Sequence, residues 1–332
     1  MAASNTKSFG EFELINRLCA KLPRGRRTIL GAGDDCAIIA RGPGRQLLTI
    51  DSMVEGVHFK LDWTTPEVLG ARALTVNLSD IAAMGGAPTV CVVNLAIRPG
   101  LPVTFFDRLY AGLRKLAAAT GVAVVGGNVT RAAQLAITIA LLGDAGAGVM
   151  RRDRARVGDA VYVTGTLGDA ALGLAILQGR QAARGAARKF LLGRFLAPTA
   201  RLAAGRRLAA LRPVPAAIDV SDGLWQDLGH MLARSHVGAE VEAEAIPLSP
   251  AYRAVLGKDP QLALSGGDDY ELLFCTAPRL PVAKLSRRLG VPVARIGRIV
   301  KGSGARLLKG GLRLTASARS LVGWDQLRDA DG

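Results

Sequence analysis

The residues in this sequence best equipped for chemistry are aspartates set among glycines. They fall in Gly31-Ala32-Gly33-Asp34-Asp35-Cys36, at Asp51 after Thr49 and Ile50, and at Asp80 in Val76-Asn77-Leu78-Ser79-Asp80. Two more groups follow, Ile218-Asp219-Val220-Ser221-Asp222-Gly223 and Ser265-Gly266-Gly267-Asp268-Asp269-Tyr270-Glu271. Carboxylates at strand ends and in loops, with glycine letting the backbone come close, suit a hard oxygen-seeking cation. Mg²⁺ is such an ion, taking a few carboxylates together with substrate phosphate oxygens and water. The alternative is that each aspartate caps a helix or closes a turn by bonding local backbone. The adjacent pairs Asp34–Asp35 and Asp268–Asp269 weigh against that as a general account, because a cap uses one oxygen and neighbouring carboxylates repel unless a cation offsets them.

Other schemes are excluded by what is missing. There is no GxxxxGK[ST] loop, Gly31-Ala32-Gly33 lacks the third glycine of a dinucleotide fingerprint, and no protein-kinase signature occurs. A GxSxG nucleophile is absent too, and His230 and His236 read as lying on an exposed helix. His58, seven residues after Asp51, is the histidine placed for a substrate contact, beside the alternative of a structural role. Cys19, Cys36, Cys91 and Cys275 are far apart with no CxxC pair, so neither a zinc site nor a disulfide framework is expected and a reduced, cytoplasmic setting fits. No signal-like apolar core and no apolar run of about 18 residues occurs, so no membrane partner is expected.

These residues need elements to carry them. Apolar residues recur at helical spacing over 11–21, 66–84, 102–119, 168–177, 186–196, 199–211 and 222–235. Short β-rich runs lie between, at 46–50, 89–97, 122–125, 135–142, 160–164, 239–242, 271–275 and 293–300. This alternation predicts α/β or α+β packing in both halves. With 332 residues the chain has room for two domains, and the Gly-, Asp- and Arg-rich stretch 143–158 marks the expected boundary, giving 1–147 and 148–332.

The charge raises a different partner. Lys and Arg number 43 against 27 Asp and Glu, a net +16, which suggests nucleic acid. The excess is uneven, +4 up to Met150 and +12 beyond it. It is carried by Arg151, Arg152, Arg154 and Arg156, and by Arg180, Arg184, Arg188, Arg194, Arg201, Arg206 and Arg207 at positions read as helical and exposed. Aromatic residues make up only 5%, too few to stack bases, and no nucleic-acid motif accompanies the arginines, so the reading is a solvated basic surface without a nucleic-acid partner.

Taken in order, the wording of the motifs is similar to that of one family. GEFELI, GAGDDCA, TIDSMVEGVHF, ARALTVNLSDIAAMGGAP, GGNVTR, VGDAVYVTGTLGDAALGLAIL, AIDVSDGLWQDLGHM, ALSGGDDYELLF and IGRI resemble the thiamine-monophosphate kinases, over about 10–324. That family sits in the superfamily of aminoimidazole ribonucleotide synthetase and selenophosphate synthetase. The resemblance implies a two-domain PurM-like α/β (α+β) fold, in which an N-terminal domain pairs through its sheet in a homodimer and a C-terminal α/β domain packs beside it. It also implies transfer of the γ-phosphoryl of ATP to thiamine phosphate. Carried over by position, Asp35, Thr49, Asp51, Asp80, Asn128, Asp219 and Asp222 match magnesium-binding positions, with Asp51, Asp80 and Asp219 central to catalysis. Gly127 of the expected Gly126-Gly127 turn, Arg152 and Ser221 match nucleotide contacts, and His58, Asp268 and Trp324 match thiamine phosphate contacts. Trp324 suits a ring-bearing cation, which an indole attracts; an aromatic closing a C-terminal edge is the other reading. The chain departs from the family at two points, with Asn128 for the usual Asp and Asp268 for the usual Glu. The alternatives are another ATP-dependent enzyme of the superfamily, or a basic nucleic-acid-binding protein with impaired catalysis.

Overall fold

The computed structural model describes residues 17–18, 20–22, 28–30, 38–39, 44–146, 148–278 and 281–313. Asp35 and Trp324 lie outside them, as does most of the helix expected over 11–21. The chain divides into two compact units, Met1–Ile81 with Ala87–Ala145 and Ala82–Gly86 with Gly146–Gly332.

After a short pair, β1 (Thr28–Leu30) and β2 (Ile38–Ile39), the first unit runs β3 (Gln46–Val54), α1 (Pro66–Ala83), β4 (Ala87–Ile97), α2 (Val103–Thr120), β5 (Ala123–Arg131) and β6 (Ala136–Asp144). The last four strands form a sheet of order β3-β6-β4-β5, antiparallel except for β4 and β5, which the crossover helix α2 joins in parallel. Helix α2 forms because Val103, Phe106, Leu109, Tyr110, Leu113 and Ala117 recur every three or four residues and are all buried. It stops at Gly121, whose left-handed backbone caps it by donating to the Ala117 carbonyl.

Alternate residues of these strands face opposite ways. One face carries Thr49, Cys91, Ile139 and Leu141, and meets α1 where the Ile81 side chain approaches Gly143 and the Thr49 hydroxyl donates to Asp80. On the opposite face Leu48 is 74% exposed, Ile50 66% and Val92 40%, an apolar strip left in solvent.

The second unit runs β7 (Ala160–Thr164), α3 (Asp169–Leu177), α4 (Gly185–Leu196), α5 (Leu202–Ala209), β8 (Ala216–Val220), α6 (Leu224–Ser235), β9 (Gly238–Glu242), α7 (Pro250–Leu256), α8 (Gln261–Ser265), β10 (Glu271–Thr276), α9 (Val282–Leu289), β11 (Val293–Val300), β12 (Gly304–Lys309) and β13 (Leu312–Arg313). Its seven-stranded sheet has the order β13-β12-β9-β11-β7-β10-β8. Every residue of β7 and β8 is buried, because both faces are covered. Val161, Val163, Ile218 and Leu273 pack against α3, α4 and α6, while Tyr162, Ala217, Leu272 and Phe274 pack against α5 and α9. Two-sided burial explains why β7 reads as a continuous apolar run.

Three expectations are corrected here. The Gly126-Gly127-Asn128 turn is part of β5, which continues to Arg131. Asp51 lies within β3 rather than at its end, whereas Asp80 lies on α1, as the helical spacing over 66–84 predicts. Arg194 and Arg201 are not exposed: their side chains are 13% and 20% accessible and pair with buried acids.

Candidate active site

In the first unit β3 and α1 bring Thr49 and Asp80 into hydrogen-bond contact, the hydroxyl donating to Oδ2. Asp51 stands two residues further along β3, on the same face as Thr49 and exposed. Across the sheet it shares a row with Ile139, Val93 and Gly127. A Cβ on Gly127 would lie 2.0 Å from the Val93 carbonyl oxygen, so the close approach of β5 to β4 requires glycine there whatever else it does. Asn128 belongs to the next row, with Ser52, Thr138 and Asn94, and so projects from the opposite face to Thr49 and Asp51. Its amide donates to Asn94 Oδ1 at 2.9 Å. His58 follows β3 in a tight turn in which its Nδ1 accepts from the Val54 N–H at 3.0 Å, while Arg72 donates to its carbonyl at 3.2 Å. With Nδ1 an acceptor, the neutral ring carries its proton on Nε2, which makes it a donor.

In the second unit β8 and β10 are antiparallel with Glu271 opposite Val220, so the loop leaving β8 and the loop entering β10 lie at the same end of the sheet. They are bonded together: the Asp268 N–H donates to the Ser221 carbonyl at 2.8 Å and the Tyr270 N–H to the Val220 carbonyl at 2.8 Å. Asp268 and Tyr270 both hold positive φ, 67° and 52°, and the Tyr270 hydroxyl donates to Asp268 Oδ1 at 2.8 Å. Non-glycine residues in this region are strained and persist where surrounding contacts over-determine them, as these do. Asp219 is 3% exposed on β8, and Gln226 donates to Asp222 Oδ2 at 3.4 Å. Burial raises the Asp222 carboxyl, an effect opposed by the charges of His230 and Arg152 and reinforced by that of Asp268. Arg152 therefore acts on the loop after β8 that bears Asp222, from an exposed turn ahead of β7.

Two groups here escaped the sequence reading. Asp227, in the first turn of α6, is pushed up to about 8 by burial and by the charges of Asp219 and Asp222. The second is a buried polar network. Glu271 accepts from Thr164 at 2.7 Å, from Arg194 at 3.0 Å and from Arg201 Nε at 2.7 Å. Next to it Asp269 accepts from the N–H groups of Gly168 at 2.6 Å and Ala170 at 3.3 Å, capping α3. Burial raises its carboxyl to about 7 against the pull of Arg194. The Asp268–Asp269 pair thus divides its labour: Asp268 faces Tyr270 and Asp269 anchors a helix.

The chain matches the family "AIR synthase related protein" by its N-terminal domain over residues 33–145 and its C-terminal domain over residues 156–309. It is 41% identical over 305 residues to the thiamine-monophosphate kinase of Salmonella typhimurium, covering 87% of this chain and 90% of that one. It is 39% identical over 300 residues to the enzyme of the same name from Escherichia coli K12, with the same coverage of 87% and 90%. Among solved structures, thiamine-monophosphate kinase from Stenotrophomonas maltophilia K279a superposes with a TM-score of 0.80 at 39% identity, covering 92% of this chain and 98% of that one. AaThiL complexed with AMPPCP and TMP superposes with a TM-score of 0.73 at 31% identity, covering 98% and 100%. A fold shared across both units, with identity at this level along nearly the whole length, leaves one assignment: the chain belongs to the AIR synthase related family and, within it, to the thiamine-monophosphate kinases.

Proposed function

We infer that this protein transfers the γ-phosphoryl group of ATP to the phosphate of thiamine phosphate, giving thiamine diphosphate and ADP. The observation that carries the reading is its likeness, along 98% of its length, to a relative solved with an ATP analogue and TMP. Phosphoryl transfer asks little covalent chemistry of a protein; positioning and charge neutralisation dominate. The acceptor phosphate oxygen is already anionic near neutral pH, so no strong general base is required.

Magnesium is part of the same proposal. Among the described residues, no three His, Cys, Asp or Glu side chains stand close enough to hold an ion unaided. The donors are nonetheless all oxygen, and the carboxyls of Asp222 and Asp227 are raised by burial together with neighbouring negative charge, which a cation relieves. That suits Mg²⁺, which binds through one or two carboxylates and fills its shell with water and phosphate oxygens. Thr49, Asp51 and Asp80 would hold it in the first unit, and Asp219 and Asp222 in the second. Bound there, it supplies neutralisation that lets two anionic groups approach in line. His58 donates from Nε2 to the acceptor phosphate, Ser221 and Arg152 contact the nucleotide phosphates, and Asp268 contacts thiamine phosphate.

We further propose a cytoplasmic homodimer in which the apolar sheet face bearing Leu48, Ile50 and Val92 is covered by a second copy; solvent-exposed side chains of this size in one strip support it. No helix of the described residues is long and apolar enough to cross a membrane. The test is ADP release with ATP, Mg²⁺ and thiamine phosphate, followed by chromatographic detection of thiamine diphosphate. ADP release without the diphosphate product overturns the reading.

A further inference from the structure

Asp227 carries no role in the sequence reading, and its contacts are unusual. It is 2% exposed, and a single oxygen, Oδ2, accepts from three successive backbone N–H groups, those of Ser221 at 3.1 Å, Asp222 at 3.2 Å and Gly223 at 3.2 Å. Successive N–H groups converging on one point form a concavity that binds anions, as in phosphate-binding loops. Here an oxygen of the protein's own Asp227 carboxyl fills it. The backbone that permits this passes through Gly223 at φ 118°, ψ 145°, a conformation open essentially to glycine alone. A Cβ at that position would also lie 2.9 Å from the Ser265 backbone.

The start of this loop is pinned from the other side. The Ser221 carbonyl accepts from the Asp268 N–H at 2.8 Å, and the preceding Val220 carbonyl accepts from Tyr270 at 2.8 Å. With the amides of 221–223 engaged by Asp227, the groups left for a ligand are the side chains of Ser221 and Asp222, both half-buried.

We propose that Asp227 is a positioning residue for phosphoryl transfer: its carboxyl oxygen occupies the anion-binding concavity of residues 221–223, so the loop offers the Ser221 hydroxyl to the nucleotide and the Asp222 carboxylate to the cation proposed above, instead of its amides. The assignment rests on the kinase reading above. It explains why a loop of phosphate-binding shape in this chain is lined by acids, since its N–H groups are turned to an internal partner.

The test compares Asp227→Ala, Asp227→Asn and Asp227→Glu in the full-length protein, by steady-state kinetics, melting temperature and amide hydrogen exchange at 221–223 without nucleotide. Asp227→Ala is expected to speed exchange at these amides and to lower kcat about 100-fold, the cost of misplacing a reacting group by about 1 Å. Asp227→Asn keeps an acceptor oxygen in the same place, and should restore both exchange protection and kcat to within about threefold of wild type. Asp227→Glu, one methylene longer, cannot converge on the three amides and should behave like Asp227→Ala; it decides the matter if the alanine variant does not fold. A purely structural role predicts that kcat per folded molecule stays at the wild-type value whatever the melting temperature, and that result overturns the proposal. So does an asparagine variant no better than alanine or glutamate. If wild-type protein makes no ADP with thiamine phosphate, the kinase reading fails by itself, while unchanged exchange at 221–223 in Asp227→Ala is the separate result that removes the positioning claim.

Discussion

Replacing Glu271 with Gln should destabilise the second unit by about 3 kcal/mol. The figure follows from the surroundings. Glu271 is fully buried, and its two oxygens accept from Thr164, Arg194 and Arg201. Removing one charge from a fully buried ion pair costs roughly 3–5 kcal/mol, because the remaining charge is left without compensation. The guanidiniums of Arg194 and Arg201 retain 13% and 20% exposure, so water screens part of the loss and the lower end of that range applies. Gln keeps one acceptor oxygen and turns an amide N–H₂ toward a guanidinium, so it restores neither charge nor geometry. For a unit of this size each kcal/mol moves the melting temperature by about 2–4 °C, giving a fall of about 6–12 °C by calorimetry. The pairing itself is isolated by a double-mutant cycle with Arg201→Met. A favourable coupling of about 1–3 kcal/mol is expected, since without Arg201 the glutamate keeps only Arg194 as its cationic partner and less pairing is lost on neutralising it. A cost below about 0.5 kcal/mol for Glu271→Gln, or strict additivity in the cycle, would refute the reasoning.

Three further outcomes follow. Asp51→Asn should lower kcat at least about 100-fold, the scale of losing one electrostatic stabiliser, and should shift unfolding by no more than about 0.5 kcal/mol because Asp51 is exposed; the two are read by product formation and by urea titration. Ile50→Lys should leave the fold intact, since the side chain is 66% exposed, and should move the protein from dimer to monomer in sedimentation velocity. Asp269, raised by burial to about 7, holds its proton more tightly folded than unfolded. Its contribution to stability is therefore present below about pH 4 and is lost as pH rises through about 7, with a slope of up to about 1.4 kcal/mol per pH unit. Urea midpoints of wild type should fall relative to those of Asp269→Asn between pH 5 and pH 7, and a constant difference across that window contradicts the assignment.

What could be read from the sequence was mostly local. Helix α2 announced itself by apolar spacing, and β7 and β10 by runs that need two covered faces. Gly126-Gly127 looked like a turn because glycine usually punctuates; in the fold it is strand, and Gly127 is glycine because the Val93 carbonyl lies where a Cβ would go. Arg194 and Arg201 read as exposed because arginine usually is, and their partner Glu271 lies 77 and 70 residues away. Helix α7 was missed although Ser249-Pro250 is a good start signal, a serine whose hydroxyl accepts from the Tyr252 N–H with proline at the first turn. Asp227 passed as one polar residue of an amphipathic helix. Its spacing four residues after Gly223 was the available hint, but convergence of three amides on one oxygen exists only in three dimensions.

The bonding of the loop after β8 to the loop before β10 has a consequence for anyone who would redesign this protein. Two main-chain hydrogen bonds join segments about fifty residues apart in sequence, through residues held at positive φ on one side and a backbone pinned by Asp227 on the other. Neither segment has a shape of its own to transplant. Residues 265–270 moved alone into another protein would arrive without the Val220 and Ser221 carbonyls that hold them, so the unit to exchange is the pair of segments together with Asp227, as one cassette.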